Sequence, residues 1–371
     1  MKNILQDLFF VLLRAGLWEK DVRLSNIKDA DYREVYRLAS EQSVVGMVAA
    51  GLEHLKGKKA SQEVLLSFMG DVLLLEQKNK AMNVFIAKLV QNLRSQDVYS
   101  LLLKGQGIAQ NYERPLWRAC GDVDLFLSED NYRRAKNYLS TIAQKFDKET
   151  SLHKHIGYSV DGWVVELHGK LACGMSRKID KCLGEIYQDT FYGGNVRSWD
   201  DKETKVFMLS PENDMVYVFV HFLNHFYKGG IGLRQICDWC RILWSFRDSL
   251  NRNLLESRIR KAGLMMEWKA FGAFAVDWLG MPTEAMPFYS SEAKWSKKAV
   301  LIKDFIMEVG NFGHNRDASY YSTKPFTVRK SISFWMRVKD LYHHARIFPL
   351  DSIRFFWGIT VNGVKAAVRG E

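Results

Sequence analysis

The chain has 371 residues, of which 47% are hydrophobic and 26% are charged, a globular composition with enough length for one large core or for two to three domains. With only six prolines and no Gly/Ser-rich or Pro-rich tract, it is not expected to contain a long disordered linker. No apolar run reaches transmembrane length. The N-terminal stretch ILQDLFFVLLRAGLW, interrupted by Asp7 and Arg14, predicts an amphipathic helix rather than a signal peptide.

The formal net charge of +11 is concentrated in the second half, where residues 173–371 carry 29 Lys and Arg against 21 Asp and Glu. A basic half can hold a polyphosphate, a nucleic acid or an acidic surface, and a solvated basic face explains it equally well. The five cysteines are odd in number and sparse, which is typical of free thiols in a reducing compartment. We therefore expect a cytoplasmic protein.

Three regions follow one another along the chain. Residues 1–96 predict an N-terminal helical region, because apolar residues recur there at three- and four-residue spacing. Residues 97–172 predict the order β-α-β-α-β-β. Residues 173–371 predict a C-terminal helical domain, with two helices separated at Gly229-Gly230. The predicted fold class is therefore α+β, with a small mixed β-sheet core flanked by N-terminal and C-terminal helical regions.

Within the central region, turn signals separate the predicted elements. The apolar run 98–103 ends in Lys104-Gly105, as a buried strand does when it enters a turn. The segment GDVDLFL predicts a second strand, and Ser128 is the predicted N-cap of the helix that follows it. Asp161-Gly162 lies between two apolar runs and predicts a tight β-hairpin.

Three acidic residues interrupt these otherwise apolar strands. Because side chains alternate along a strand, Asp122 and Asp124 point to the same face, and Glu166 shares one face of the next strand with Val164 and His168. Carboxylate oxygens suit Mg²⁺ or Mn²⁺, which share their remaining positions with water and substrate phosphates. A pair of such ions about 4 Å apart would suit an in-line displacement at phosphorus. The pattern therefore predicts a divalent-metal site.

The run LLLKGQGIAQNYERPLWRACGDVDLFL, followed by a helix and then VVELH, resembles the nucleotidyltransferase superfamily that includes DNA polymerase beta. More closely, it resembles the uncharacterised nucleotidyltransferase family of bacteria, whose members carry a Lys-Gly turn, an Arg and a Gly-Asp-x-Asp strand. The resemblance is most specific over residues 99–168. It continues more loosely through HFLNHFYKGGIGLRQICDWCRIL.

The resemblance implies a metal-dependent enzyme that moves a nucleoside monophosphate from an NTP to an acceptor hydroxyl and releases pyrophosphate. Asp122 and Asp124 would bind two Mg²⁺ (or Mn²⁺) ions. Glu166 would be the third carboxylate, binding the ion that activates the attacking hydroxyl.

The resemblance also implies a set of nucleotide-binding residues. Gly105 would let the backbone approach the triphosphate, and Lys104 and Arg118 are candidates for phosphate contacts or for positioning the turn. The wider superfamily has Ser or Gly after this glycine, whereas the present chain has Gln106. The details of the triphosphate contact at Gln106 are therefore expected to differ.

Several alternatives stay open at this stage. Without metal chemistry, Asp122 would lie at a strand edge, Asp124 would pair with an Arg and Glu166 would be solvated. The central region would then be a non-catalytic nucleotide-binding module, or the basic half would make an RNA-binding protein. A toxin-like nucleotidyltransferase is a further possibility. The acceptor ranges over a small molecule, a protein and RNA, and neither the NTP nor the oligomeric state follows from the sequence.

Three further patterns favour packing over chemistry. His221 and His225 share a helical face and either reach the cleft or are satisfied inside the fold, but HFLNH lacks the Glu of a zinc-protease helix. The Cys237-x-x-Cys240 pair has no second pair at zinc spacing, so we predict a packing role. Aromatic residues mixed with Arg and Lys near the end of the chain allow membrane-surface or RNA contact, although helix packing is the favoured interpretation.

Overall fold

The computed structural model describes most of the chain, and its longest described helix spans the 33 residues Gln62–Arg94. The described residues are 2–24, 28–57, 60–150, 154–201, 204–311 and 325–368. The segment GNFGHN at residues 310–315, whose two glycines favour a connection between helices, lies largely outside the described residues. Among those described, no helix combines the length and the apolar character that a membrane crossing requires.

The N-terminal region is helical with two short exceptions. Its helices are α1 (Lys2–Leu17), α2 (Asp29–Glu41), α3 (Val45–Glu53) and α4 (Gln62–Arg94). The expectation that residues 1–96 are helical throughout was wrong at β1 (Val22–Leu24) and β2 (Leu55–Gly57), which pair in parallel. A three-residue strand is shorter than any window over which periodicity is readable, so the pattern of the flanking helices hides it.

A mixed seven-stranded sheet forms the centre of the molecule, with the strand order β5-β6-β7-β4-β3-β9-β8. Its strands are β3 (Ser100–Leu103), β4 (Asp122–Leu127), β5 (Lys145–Phe146), β6 (His155–Val160), β7 (Trp163–His168), β8 (Val196–Asp201) and β9 (Thr204–Leu209). The connecting helices are α5 (Gly105–Ala109), α6 (Glu129–Ile142) and α7 (Arg177–Phe191). The α+β class is confirmed. The order predicted for residues 97–172 lacks one element, since the two-residue strand β5 lies between α6 and β6.

Two further details of the sheet differ from the prediction. The strands β8 and β9 form an antiparallel pair that extends the sheet beside β3, and the sequence analysis did not identify them. Ser128 lies at the predicted N-cap position, but its side chain caps no backbone N–H and instead accepts a hydrogen bond from Asn131. The predicted hairpin is present, since Asp161 and Gly162 both have positive φ between β6 and β7.

Strand alternation divides the sheet into two faces. Val123, Leu125 and Leu127 point to one face and pack with α4 and α6 in one hydrophobic core. The opposite face carries Asp122 and Asp124 and lies beneath the first two of the described helices that follow the sheet. These two helices are α8 (Pro211–Lys228) and α9 (Leu233–Ser245), and the chain continues with α10 (Arg252–Ala262), α11 (Met265–Asp277) and α12 (Ala293–Val309).

The last described residues form two helices, Phe326–Ile347 and Pro349–Val368, which we call the C-terminal hairpin. The hairpin joins the main core through buried Ile347, Phe348 and Phe355. That core also contains residues from the N-terminal helices and from the sheet, so the three predicted regions share one hydrophobic interior.

Candidate active site

The three predicted acids lie together. The parallel register of β4 and β7 places Asp124 directly opposite Glu166, and Asp122 lies two residues earlier on the same face of β4. One carboxylate oxygen from each of Asp122, Asp124 and Glu166 lies within 4.8 Å of the other two. This separation allows one small cation to contact all three side chains.

Asp124 is the most buried of the acids, at 1% exposure, and its carboxylate contacts one lysine and one histidine. Lys104 Nζ lies 3.1 Å from its Oδ1 atom, and His168 Nε2 lies 2.8 Å from the same oxygen. Burial alone would raise the pKa of Asp124, but the Lys104 charge and the His168 hydrogen bond outweigh burial and hold this pKa well below its ordinary range. Asp124 is therefore an anion in the folded protein.

Asp122 is in a different electrostatic environment. Burial, together with repulsion from Asp124, raises the pKa of Asp122 above its ordinary value, and Lys104 only partly opposes this. Glu166 is half-buried, and its Oε2 atom lies 2.9 Å from Nε2 of His155. The hydrogen bond to Glu166 raises the pKa of His155. The cluster thus holds more negative charge than its own neighbours neutralise.

The Lys104-Gly105 turn adopts a backbone conformation that favours glycine. The φ angles are +49° at Lys104 and +48° at Gly105. A Cβ atom added at Gly105 would also lie 3.2 Å from Sγ of Cys120. The side chain of Gln106 points away from the acids, because its Nε2 atom donates a hydrogen bond to Oδ1 of Asn79 on α4. Gln106 can therefore reach a ligand at the acids only through its backbone.

Arg118 is buried and forms a two-point ion pair with Asp238 on α9, at 3.0 Å and 2.6 Å. The hydroxyl of Tyr112 donates a further hydrogen bond to Asp238 at 2.8 Å. The Nη1 atom of Arg118 is buried and has no hydrogen-bond partner among the described residues. Since an unsatisfied buried donor is costly, a hydrogen-bond acceptor at this atom would stabilise Arg118.

A cavity of about 340 Å³ opens over the acids, and we call it the aspartate cavity. Gly105, Arg118, Asp122 and Arg234 are among its lining residues. Burial and the neighbouring Arg118 lower the pKa of Arg234, which donates a hydrogen bond to the carbonyl of Ala119. Two arginines therefore line the same cavity as the acids.

A second cavity of about 250 Å³ lies next to the first, and we call it the lysine cavity. Its polar lining includes His155, Lys170, Asn224 and Lys228. The two cavities are separated by polar residues that line both of them. These residues are Lys104, Glu166, His221 and His225.

The two helix histidines line both cavities, so they reach the cleft rather than packing in the interior away from it. Their Nε2 atoms lie 3.1 Å apart. Burial, followed by the charge of Lys104, lowers the pKa of His221 well below its ordinary value and that of His225 to about 4. Both imidazoles are therefore neutral near pH 7.

Several residues of the site were not predicted from the sequence as functional. His155 could have been found from the hairpin, because its register places it opposite His168. Arg234, Asp238 and Lys228 carry no such signal, since each lies in a helix far along the chain from the acids. The Cys237-x-x-Cys240 pair is buried, and burial raises the pKa of both thiols, in agreement with the predicted packing role.

Comparison with known proteins gives one match. The model of the family described as uncharacterised nucleotidyltransferase matches residues 28–280, more than half of the chain. No curated protein and no solved structure gives a significant match. The matched segment contains the seven-stranded sheet, the three acids and both cavities, and it ends before the C-terminal hairpin. The chain therefore belongs to the uncharacterised nucleotidyltransferase family.

Proposed function

We propose that this nucleotidyltransferase moves a nucleoside monophosphate from an NTP to an acceptor hydroxyl, and that Mg²⁺ or Mn²⁺ bound by Asp122, Asp124 and Glu166 is required. The observation that carries the proposal is the approach of three carboxylate oxygens to within 4.8 Å of one another on the wall of a cavity that two arginines also line. Membership of the family supports nucleotidyl transfer in general.

The donor set fits a hard divalent cation. All three ligand side chains offer oxygen, and burial plus mutual repulsion already raises the pKa of Asp122. A cation between the carboxylates would remove that repulsion. When bound, such ions supply charge neutralisation at the phosphates and lower the pKa of a hydroxyl.

The cationic side chains indicate where the nucleotide binds. Arg118 and Arg234 line the aspartate cavity, and Lys104 lies at the boundary between the cavities. Bidentate or charge-assisted contacts from such groups suit phosphate oxygens. The unsatisfied Nη1 atom of Arg118 would gain a partner. We therefore assign the triphosphate to the aspartate cavity, beside the turn at Gly105.

The chemistry is a balanced substitution at phosphorus. The oxygen of the acceptor hydroxyl attacks the α-phosphorus, the bond between that phosphorus and the α,β-bridging oxygen breaks, and pyrophosphate leaves with the bonding electron pair. Glu166 lies between the two cavities and would accept the hydroxyl proton before passing it to solvent. The fixed positions of the acids and cations supply orientation and electrostatic stabilisation.

Incubation with each α-³²P-labelled NTP, Mg²⁺ or Mn²⁺ and cell extract tests the proposal. The wild-type chain should label an acceptor and release pyrophosphate, whereas Asp122→Asn should lose about two or more orders of magnitude in rate. Asp161→Asn makes the same chemical change on the exposed hairpin turn and should leave the rate unchanged. Circular dichroism would establish that both variants are folded.

Metal binding has a readout that does not depend on turnover. Electron paramagnetic resonance should detect Mn²⁺ bound to the wild-type chain, and the signal of bound Mn²⁺ should be weaker with Asp122→Asn. Unaltered turnover by this variant would contradict the proposal. NTP binding without pyrophosphate release would favour a non-catalytic module, and a salt-dependent RNA gel shift that survives Asp124→Asn would favour an RNA-binding protein.

A further inference from the structure

The lysine cavity contains a cation, Lys228, that forms no ion pair with a carboxylate of the described residues. Lys228 is half-buried in the last turn of α8, and its Nζ atom is within 3.5 Å of the carbonyl oxygen of Cys173. None of the ion pairs formed in the described part of the chain includes Lys228. Burial lowers the pKa of its ammonium group. A cation held at a cavity wall without a carboxylate is most stable when an anion of the ligand approaches it.

A second unsatisfied group lies one helical turn away. The Oδ1 atom of Asn224 is buried and has no hydrogen-bond partner among the described residues. Asn224 and Lys228 are four residues apart on α8 and both line the lysine cavity, where exposed Lys170 adds another cation. On one wall of the cavity, the Asn224 oxygen can accept a hydrogen bond from a ligand hydroxyl, and the lysine ammonium groups can bind an anion.

Glu166 offers a reference point for the orientation of a ligand in this cavity. It lines the lysine cavity as well as the aspartate cavity, so a hydroxyl bound beside it faces the assigned position of the nucleotide. The anionic end of the same ligand would then contact Lys228. A volume of about 250 Å³ suits a small molecule rather than a folded macromolecule.

From these observations we propose that the acceptor is a small hydroxyl compound that carries a phosphate or carboxylate group, and that it binds in the lysine cavity with this group at Lys228. The inference rests on the proposed function. The bond changes are those given above, since the acceptor's anionic group takes no part in them.

The experiment uses the full chain, labelled NTP and extract metabolites separated by anion exchange. The acceptor activity should be retained on the resin, and Lys228→Met should raise the acceptor KM by about tenfold or more while the KM for NTP stays within about twofold. Lys228→Arg should recover most of the loss. Lys297→Met, at an exposed lysine on α12, is the matched control and should behave as wild type.

Phosphatase treatment of the active fraction separates a phosphate from a carboxylate as the anionic group. An acceptor that flows through the resin, or label found in protein or in nuclease-sensitive RNA, would overturn the inference while leaving the proposed function intact. Failure of the wild-type chain to label any fraction would instead refute the proposed function. Retention of the acceptor on the anion-exchange resin is measured with the wild-type chain, so this test stands even if Lys228→Met does not fold.

An independent observation concerns the C-terminal hairpin, whose outer face is apolar and exposed. On its second helix, apolar residues recur at three- and four-residue spacing, which places them along one face. These residues are Leu350, Ile353, Trp357, Val361 and Val364, and their exposed fractions are 83%, 50%, 61%, 46% and 58%. On the first helix, exposed Val328, Trp335 and Tyr342 follow one another at seven-residue spacing.

The packing role favoured for the aromatic residues near the end of the chain holds for buried Phe348 and Phe355 but not for exposed Trp335 and Trp357. The hairpin is attached to the body through other positions, including buried Phe355 and Ile359, and Asn362 donates a hydrogen bond to the carbonyl of Gly174. Trp335 and Trp357 therefore stay exposed while the hairpin is docked on the body. Large exposed apolar stripes of this kind mark an interaction surface.

The charge of the hairpin indicates the partner. Residues 326–368 contain seven Lys and Arg but two Asp and Glu. Lys339, Arg346 and Lys365 are exposed, and none of them takes part in an ion pair formed in the described part of the chain. A second copy would bring these like charges together, whereas anionic lipid headgroups complement them. Trp and Tyr also suit the boundary between headgroups and acyl chains.

We infer that the C-terminal hairpin binds an anionic membrane surface. The full chain should cosediment with vesicles of three parts phosphatidylcholine and one part phosphatidylglycerol about tenfold more tightly than with phosphatidylcholine alone, and raised salt should weaken binding. The double variant Trp335→Ser, Trp357→Ser should lose about tenfold in affinity. Tyr192→Ser, at an exposed aromatic residue outside the hairpin, is the matched control and should bind as wild type.

Equal vesicle binding by the double variant, or no binding to the anionic vesicles, would overturn this inference. Sedimentation velocity and an RNA filter-binding assay complete the test. A dimer, or an RNA complex, that requires Trp335 and Trp357 in the absence of vesicle binding would identify a different occupant of the face and would also overturn it.

Discussion

Replacing Asp122 by Asn should stabilise the metal-free protein while removing its activity. The carboxylate oxygens of the acids approach within 4.8 Å, and two full charges at that separation in an effective dielectric of about 20 repel each other by about 3.5 kcal/mol. Lys104 offsets part of this repulsion, but the raised pKa of Asp122 shows that burial and repulsion prevail. We expect a net stabilisation of about 1 kcal/mol, within the range of about 0.5–2 kcal/mol typical of relieved functional strain.

The pH dependence of this effect follows from the direction of the pKa shift. Because the pKa of Asp122 is higher in the folded chain than in the unfolded chain, wild type is favoured by protonation at low pH and loses that stability as the pH rises through the folded-state value. The advantage of Asp122→Asn should therefore be largest near pH 7 and disappear below about pH 4.

Urea unfolding in EDTA, followed by circular dichroism from pH 4 to pH 7, measures the difference, and the labelled-NTP assay measures activity on the same preparations. Asp161→Asn is again the matched control. A variant less stable than wild type at pH 7 would refute the electrostatic reasoning. An active variant would refute the assignment of Asp122 to the metal site.

Other expectations follow from the buried charges. Lys104→Met should cost about 3–5 kcal/mol, since it leaves the Asp124 carboxylate buried without its cation, and urea unfolding would show a smaller loss for Lys104→Arg. Asp238→Asn should cost a similar amount by the same measurement, whereas Tyr112→Phe, which removes one neutral donor, should cost about 1 kcal/mol. NMR titration should give His225 a pKa near 4 with no inflection between pH 6 and 7; an inflection there would contradict the burial that lowers it.

The part of the site that could be predicted from sequence is the part encoded by strand alternation. Asp122, Asp124 and Glu166 interrupt apolar strands, and the Asp161-Gly162 turn fixes the hairpin that carries Glu166. Their proximity then needs only the pairing of β4 with β7. Local patterns were sufficient here because each rests on a period of two or on a single turn type.

The rest depends on contacts that no local pattern encodes. The pairing of Lys104 with Asp124 follows from the antiparallel register of β3 and β4. Arg118 and Asp238 are separated by 120 positions along the chain. The strands β8 and β9 were missed because each has only six residues and β8 includes the charged residues Arg197, Asp200 and Asp201. Their pairing with each other and with β3 overrides a weak local preference.

The buried pairing of Arg118 with Asp238 has a consequence for how this enzyme can be divided or rearranged. If the chain were cut between α7 and α9 and the two fragments separated, each fragment would contain one buried charge without its partner. Neither fragment should therefore stay folded and active alone. Reporter insertions and circular permutations should accordingly be tolerated only where Arg118 and Asp238 remain paired in one folded protein.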